Sequence, residues 1–108
     1  MQVPLDLAFA ALSDPTRRAI LLRLASGEAS VREIAAGFPI SQPAISRHLR
    51  LLEEAGLIEA GREGKARPRR LRPEGIEKAQ RFLSEMASYW PDRFDRLDEF
   101  LQQTKDQS

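Results

Sequence analysis

Three polar side chains near the middle of the sequence share one arc of a possible helix, and a fourth lies at the N-terminal end of that helix. They are Gln42, Ser46, Arg47 and Arg50. At about 100° per residue, this spacing brings the last three onto one side and leaves Gln42 at the N-terminal end. A glutamine amide pairs with adenine, a guanidinium pairs with guanine, and a hydroxyl binds a base or a phosphate. The chemistry open to these residues is hydrogen bonding to the edges of nucleic-acid bases.

The opposite arc of this segment is apolar and recurs at the helical period. It consists of Ile45, Leu49 and Leu52. We predict a helix over residues 41–54, with Ser41 as its N-cap, Pro43 in its first turn and Gly56 just past its end. The pattern is that of an amphipathic helix with a polar outer face.

A short helix and a tight turn are predicted just before this segment. Ser30 and Glu33 have the spacing of a capping box, in which each side chain accepts a hydrogen bond from the other residue's backbone N–H. Gly37 is expected to end the helix, and residues 37–40 read as a turn. Two short helices joined by a tight turn predict a helix-turn-helix over residues 30–55.

Two further helices are predicted upstream. Residues 5–12 read as a short helix, and Asp14 followed by Pro15 is an N-cap with proline at the first helical position. The second helix is expected to run to about Ala25, because Gly27 then interrupts the pattern.

A basic hairpin is predicted after the helix-turn-helix. Strand candidates at residues 57–60 and 68–71 flank a glycine-containing loop, and residues 61–72 hold six basic residues and one acidic residue. Arg62, Lys65 and Arg67 fall at or beside the tip. Arg69, Arg70 and Arg72 follow, and strand alternation is expected to divide them between the two faces. We interpret the hairpin as a wing whose tip contacts the minor groove or its phosphates; the alternative is a solvated basic loop.

Two other positions suit a phosphate. Thr16 and Arg17 lie at a helix start, where the positive end of the helix favours anions, although Arg17 could instead pair with a carboxylate inside the chain. His48 lies at the edge of the apolar arc, where packing or a phosphate hydrogen bond explains it better than catalysis. The candidate nucleic-acid contacts are Thr16, Arg17, Ser41, Gln42, Pro43, Ser46, Arg47, His48, Arg50, Arg62, Lys65 and Arg67.

Composition restricts the class of protein. The chain has 108 residues, 42% of them hydrophobic and 31% charged, no cysteine and one histidine. These values suit one small globular domain without disulfides. Neither a cofactor site nor a catalytic constellation is recognised, so no enzyme is expected. Neither a membrane span nor a signal peptide is recognised, which favours the cytoplasm. The expected divisions of the single domain 1–108 are a helical core at 14–56, a wing at 57–72 and a C-terminal dimerisation helix at 73–104.

These motifs together resemble the ArsR family of bacterial transcriptional repressors. The resemblance is carried by DPTR at residues 14–17, QPAISRHL at 42–49 and LEEAGLI at 52–58. It implies a mainly helical winged helix-turn-helix fold with a small hairpin, in the order α-α-α-α-β-β-α. It also implies a homodimer that represses from a palindromic operator and leaves when an effector or partner binds. A protein-interaction module is the alternative, but it should present apolar residues on the outer arc of the second helix.

The metal sites of this family have no counterpart here. Metal-sensing members carry two cysteines where this sequence has Ser30 and Arg32, and neither residue supplies a thiolate. Other members use aspartate and histidine on the last helix, which here contains acidic residues without histidine. These acidic residues are Asp92, Asp95, Asp98 and Glu99. Metal binding is therefore not expected at the family's known sites.

The last helix carries a long apolar stripe at nearly heptad spacing. Its members are Ile76, Ala79, Leu83, Met86, Trp90, Phe94, Leu97 and Leu101. A small core cannot cover so long a stripe, so we predict that Leu83 and the residues after it form a dimer interface, together with Leu5 and Phe9 of the first helix. Packing within one chain is the alternative. Pro91 predicts a kink or break at Trp90.

Overall fold

Among the described residues up to Tyr89, five helices and two strands follow one another in the predicted order. A computed structural model describes residues 3–62, 64, 67–89 and 98–103. The elements are α1 (Val3–Ala11), α2 (Pro15–Ala25), α3 (Val31–Ala36), α4 (Gln42–Glu54), β1 (Ile58–Ala60), β2 (Arg69–Leu71) and α5 (Pro73–Tyr89). The predicted fold class, helical with one small antiparallel hairpin, is confirmed. Residues 98–103 are also helical, whereas the predicted kink at Trp90 lies outside the described residues.

Local capping interactions begin α2 and α3 where the sequence predicts. The Asp14 carboxylate accepts from the backbone N–H of Arg17 at 3.1 Å, and Pro15 is the first residue of α2. In the capping box of α3, Ser30 Oγ accepts from the Glu33 N–H at 3.1 Å and Glu33 Oε1 accepts from the Ser30 N–H at 2.9 Å. These hydrogen bonds satisfy N–H groups that have no partner inside either helix.

The buried core is formed where all four N-terminal helices meet the hairpin. The largest fully buried side chains are Ile20, Ile34, Ile45, Leu49, Leu52, Leu57 and Ile58. The three apolar residues of α4 are among them, which confirms the inward arc expected from their spacing. Helix α1 covers this core with Ala8 and Ala11, and α5 adds Ala79, which is 7% exposed, and the partly buried Ile76.

The hairpin is one residue shorter at the start of each strand than predicted. Leu57 is not part of β1 because its N–H closes the end of α4, donating to Leu52 O at 3.0 Å. Proline at residue 68 has no N–H to contribute to the ladder, although its carbonyl accepts from Gly61 at 2.6 Å. Pairing therefore runs antiparallel from Ile58 opposite Leu71 to Ala60 opposite Arg69.

A close backbone approach determines where α5 begins. Gly56, at φ +75°, turns the chain after α4, and Gly75 in the first turn of α5 lies against it. A Cβ atom on Gly75 would overlap the carbonyl oxygen of Gly56, so only glycine fits at this contact. The hairpin thus leaves α4 and returns to it at a defined point.

Candidate nucleic-acid interface

Helix α4 presents a polar surface opposite its buried arc. Gln42, Pro43, Arg47 and Arg50 are exposed, and Ser46 is partly buried. Neither Arg47 nor Arg50 makes a hydrogen bond or an ion pair with any of the described residues. Two guanidinium groups on one exposed arc are therefore available to an external partner.

The N-terminal end of α4 is held by its cap. Ser41 Oγ accepts from the Ala44 N–H at 3.2 Å, so this hydroxyl stabilises the helix start, and the residue is exposed. The N-terminal end of α4 is polar, with Ser41 as the cap and Gln42 as the first residue of the helix. Thr16, at the start of α2, is partly buried. Contact of any of these residues with DNA stays a prediction.

Arg17 connects three parts of the helical core. Its Nε donates to Ala11 O at 2.7 Å and its Nη2 donates to Ala10 O at 3.3 Å, at the C-terminal end of α1. Its Nη1 donates to Nδ1 of His48 on α4 at 3.3 Å. The internal role that the sequence left open is therefore observed, but with carbonyls and an imidazole as partners. Phosphate binding by Arg17 or His48 stays a prediction.

The Asp14 carboxylate lies beside Arg17 and the His48 imidazole. The hydrogen bond from the Arg17 backbone N–H lowers the pKa of Asp14 below its ordinary value of 3.8. Electrostatic attraction by Arg17 acts in the same direction, and His48 Nδ1 lies 4.0 Å from Asp14 Oδ2. Because the charged carboxylate is favoured, the cap of α2 is expected to persist into mildly acidic solution.

The wing divides its basic residues into two groups. Arg62 and Arg67 are exposed beside the tip, and Arg67 has φ +32°, which is unusual for a residue other than glycine. The Arg67 Nε donates weakly to Gly61 O at 3.5 Å. Lys65, predicted as a tip contact, lies outside the described residues.

The second group consists of arginines paired with glutamates. Arg69 on β2 contacts Glu53 of α4 at 2.7 Å, and Arg70 contacts Glu59 across the hairpin at 2.9 Å. Arg72, just after β2, contacts Glu74 at 3.4 Å. Strand alternation separates Arg69, which is partly buried, from exposed Arg70, as the sequence predicts. The pairing with glutamates was not predicted.

The predicted dimer interface is partly exposed apolar surface. Leu83 and Met86 of α5 are 49% and 38% exposed, and Leu101 is 54% exposed. Leu5 and Phe9 of α1 are partly buried. Sequence reasoning missed Phe82, whose ring meets that of Phe9 edge-on at 5.7 Å and which remains 39% exposed. Trp90, Phe94 and Leu97 lie outside the described residues.

Neither a metal-binding cluster nor a membrane-spanning helix occurs in the part of the chain that the structure describes. No group of three or more histidine, cysteine or acidic side chains is placed to hold a metal ion there. No described helix is both long and apolar enough to span a bilayer.

The fold and the exposed arc of α4 define a winged helix-turn-helix protein. The model of the family described as bacterial regulatory protein, arsR family, matches residues 14–60. A crystal structure of an ArsR family transcriptional regulator, RHA00566, is similar with a TM-score of 0.75 and 35% identity, covering 82% of this chain and 97% of that one. The chain therefore belongs to the arsR family of bacterial regulatory proteins.

Two curated relatives and one solution structure extend the comparison. The HTH-type transcriptional regulator Rv2034 of Mycobacterium tuberculosis is 45% identical over 71 residues, covering 66% of each chain. The transcriptional repressor SdpR of Bacillus subtilis is 48% identical over 56 residues, covering 52% of this chain and 62% of the repressor. The present chain thus spans about two thirds or less of these relatives' length.

The solution structure is described as the homodimeric winged helix-turn-helix DNA-binding domain of Mb0332 from Mycobacterium bovis. It is similar with a TM-score of 0.62 and 27% identity, and the match covers 86% of this chain and 83% of that one.

Proposed function

We propose that this chain is a sequence-specific DNA-binding transcriptional repressor that acts as a homodimer on a palindromic operator. The observation that carries the proposal is the surface of α4, whose apolar arc is buried while its two arginines are exposed without partners among the described residues. Family membership and the repressor SdpR support the regulatory role. A protein-interaction module is disfavoured because the centre of the outer arc is polar rather than apolar.

In this proposal the contacts divide between bases and phosphates. Gln42, Arg47 and Arg50 read base edges in the major groove, with Ser46 on a base or a phosphate. Arg62, Lys65 and Arg67 of the wing contact the minor groove or its phosphates. Five further candidates from the sequence complete the phosphate contacts. They are Thr16, Ser41 and Pro43 at helix starts, and Arg17 and His48 beside them.

A dimer follows from the exposed apolar face of α5. Phe82, Leu83 and Met86 lie on this face, and the homodimeric domain of Mb0332 supports self-association. The domain divisions given above, with residues 73–104 as the dimerisation helix, are part of the proposal. Two recognition helices about one DNA turn apart, roughly 34 Å, would then read the two halves of a palindrome.

The proposal assigns no catalytic step, and it locates the protein in the cytoplasm, where a bacterial regulator meets its DNA. The single histidine, His48, is hydrogen-bonded to Arg17. In this proposal, an effector or a protein partner releases the repressor from DNA. The residues at the family's known metal sites do not define the chemistry of that effector or partner.

The test is selection of a duplex from a randomised DNA pool by the purified protein. We expect one palindromic sequence to be enriched and bound about 10³-fold or more tightly than unselected duplex, with affinity that falls steeply as salt rises. Equal, weak binding to every sequence would overturn the repressor proposal.

Self-association is tested separately by sedimentation. Leu83→Glu is expected to shift the protein to monomer and to weaken operator binding, because a charge then lies on the apolar face. Glu77→Gln, a change at an exposed residue of the same helix, serves as the matched control. A parent protein that sediments as a monomer at micromolar concentration would contradict the dimer.

A further inference from the structure

Arg69 makes the closest ion pair in the described part of the molecule. Its Nε donates to Glu53 Oε1 at 2.7 Å, and the two side chains are 18% and 35% exposed. Glu53 belongs to α4, the proposed recognition helix, and Arg69 belongs to β2, the second strand of the wing. The pair therefore joins the two elements that the proposed function brings to DNA.

The backbone of Arg69 adds a third connection. Arg69 N donates to Ala29 O at 2.7 Å, and Ala29 N donates to Arg69 O at 3.0 Å, which forms a bridge to the segment just before α3. The guanidinium also donates through Nη1 to the carbonyl of Arg67, at the edge of the wing tip. One residue thus holds the recognition helix, the segment before α3 and the tip region together.

The other ion pairs of the wing differ in kind. Arg70 and Glu59 are 49% and 42% exposed, and their pair joins β2 to its partner strand. Exposed pairs of this kind contribute little to stability because water and salt screen them. The Arg69–Glu53 pair is more shielded and has the short contact expected of a charge-assisted hydrogen bond.

We propose that Arg69 is a positioning residue, which sets the orientation of the wing relative to the recognition helix through Glu53 and does not itself contact DNA. This inference rests on the proposed function. Phosphate contacts fix the register of a protein on the duplex only when the groups that make them are held in place. Arg69, paired with Glu53, supplies that support, and the exposed Arg62 and Arg67 beside the tip make the contacts.

The sign of one substitution separates this role from direct contact. Glu53→Gln removes a negative charge close to the DNA-binding surface. If Arg69 bound a phosphate, loss of Glu53 would release its guanidinium and tighten binding. If the pair positions the wing, the same variant weakens binding although the protein becomes more positive. Glu59→Gln, which opens the exposed pair, is the matched control.

The experiment measures the dissociation constant for the duplex that the parent protein selects from a randomised pool. Parent, Glu53→Gln, Arg69→Gln, the double variant and Glu59→Gln are compared, and each value is corrected for the folded fraction from thermal unfolding in the same buffer. Arg69→Lys, which keeps the charge and a single hydrogen bond, provides a second variant if Arg69→Gln is poorly folded.

We expect Glu53→Gln and Arg69→Gln to weaken binding equally, by roughly three- to thirtyfold, with no further loss in the double variant. Arg69→Lys should recover part of the affinity, and Glu59→Gln should bind as the parent does. Arg62→Gln at the tip should weaken binding in the parent but have little effect in the Arg69→Gln background. A change in stability alone would not remove the effect of a distant tip residue.

Three results with the variants would overturn the inference by itself. Tighter binding by Glu53→Gln would make Arg69 a direct DNA contact. Unchanged binding by both single variants, or an Arg62→Gln effect that persists in full in the Arg69→Gln background, would show that the pair does not position the wing. If the parent selects no duplex, the proposed function fails first, and the inference fails with it.

Discussion

Helix α4 and the wing both carry arginines, but they hold them in opposite ways. On α4, Arg47 and Arg50 are exposed and have no hydrogen-bonding partner among the described residues. On and just after β2, three arginines each contact a glutamate. Both segments contribute arginines, yet only some of these side chains are available to an external partner.

The availability of a charged side chain therefore depends on which side chains lie beside it. Seen only in the sequence, residues 61–72 are the most basic stretch of the chain. In the fold, their second half is largely neutralised by Glu53, Glu59 and Glu74, whereas the arginines beside the tip and on α4 have no acidic partner among the described residues. Local net charge therefore overestimates how strongly the wing as a whole attracts DNA.

The largest effect is expected where the two regions join. Gly75→Ala would place a Cβ atom into the Gly56 carbonyl, so α5 and the end of α4 must move apart. We expect a loss of about 3 kcal/mol in the free energy of unfolding, measured by urea titration. Gly64→Ala, at φ +66° with open space around it, is the control and should cost only about 1 kcal/mol. Equal losses would mean that the junction tolerates movement.

The next effect tests the recognition helix. Arg47→Ala should reduce discrimination between the selected duplex and unselected DNA by about 1–3 kcal/mol, because the variant can no longer hydrogen-bond to a base edge. Thermal unfolding should be unchanged, since the side chain makes no hydrogen bond within the described structure. Arg81→Ala, at an exposed residue of α5, is the control. A uniform decrease in affinity for all sequences would instead mean that Arg47 binds a phosphate.

The third effect tests the tip of the wing and separates charge from backbone strain. Arg67→Gln and Arg67→Gly should both weaken binding to all sequences. The slope of log affinity against log salt concentration should become shallower by about 0.9 for each phosphate that is no longer neutralised. Only Arg67→Gly relieves the positive φ of this residue, and its gain in stability should be about 1 kcal/mol or less. If neither variant changes the salt dependence, the tip does not reach phosphates.

The smallest effect concerns the support of α2 at low pH. The hydrogen bond from the Arg17 backbone N–H lowers the pKa of Asp14 in the folded state. The contribution of Asp14 to the stability of the fold is therefore complete above the ordinary pKa of 3.8, and it is lost as the pH falls through the lower pKa of the folded state. Asp14→Asn keeps a capping oxygen but cannot titrate. Its urea midpoint should therefore decline less than that of the parent between about pH 6 and about pH 3.

Glu33→Gln gives a parallel comparison. The pKa of Glu33 is lowered by hydrogen bonds from the Ser30 backbone and side chain, with the same sign of pH dependence. Identical acid profiles for parent, Asp14→Asn and Glu33→Gln would show that neither cap contributes to acid sensitivity.

Much of the fold was predictable because it depends on neighbours in the sequence. The caps at Asp14, Ser30 and Ser41 act within three residues, and the buried and exposed arcs of α4 follow from helical periodicity. The outward position of Arg47 and Arg50 follows from the same period. These features need no knowledge of which distant segments meet.

The connections between elements were not predictable in this way. Arg17 and His48 are 31 residues apart, and Arg69 and Glu53 are 16 apart. Many glutamates and arginines could have paired, and spacing alone does not choose among them. The approach of Gly75 to Gly56 likewise depends on the path of the hairpin between them.

Capping and periodicity act over a few residues, so the order of the elements, the starts of α2, α3 and α4 and the face that α4 buries follow from the sequence alone. The tertiary structure alone decided which arginines are paired and which remain available, since an ion pair forms only when two distant side chains are brought within reach. The surface that the proposed function assigns to DNA is therefore specified by the sequence on α4 and by the packing of the chain on the wing.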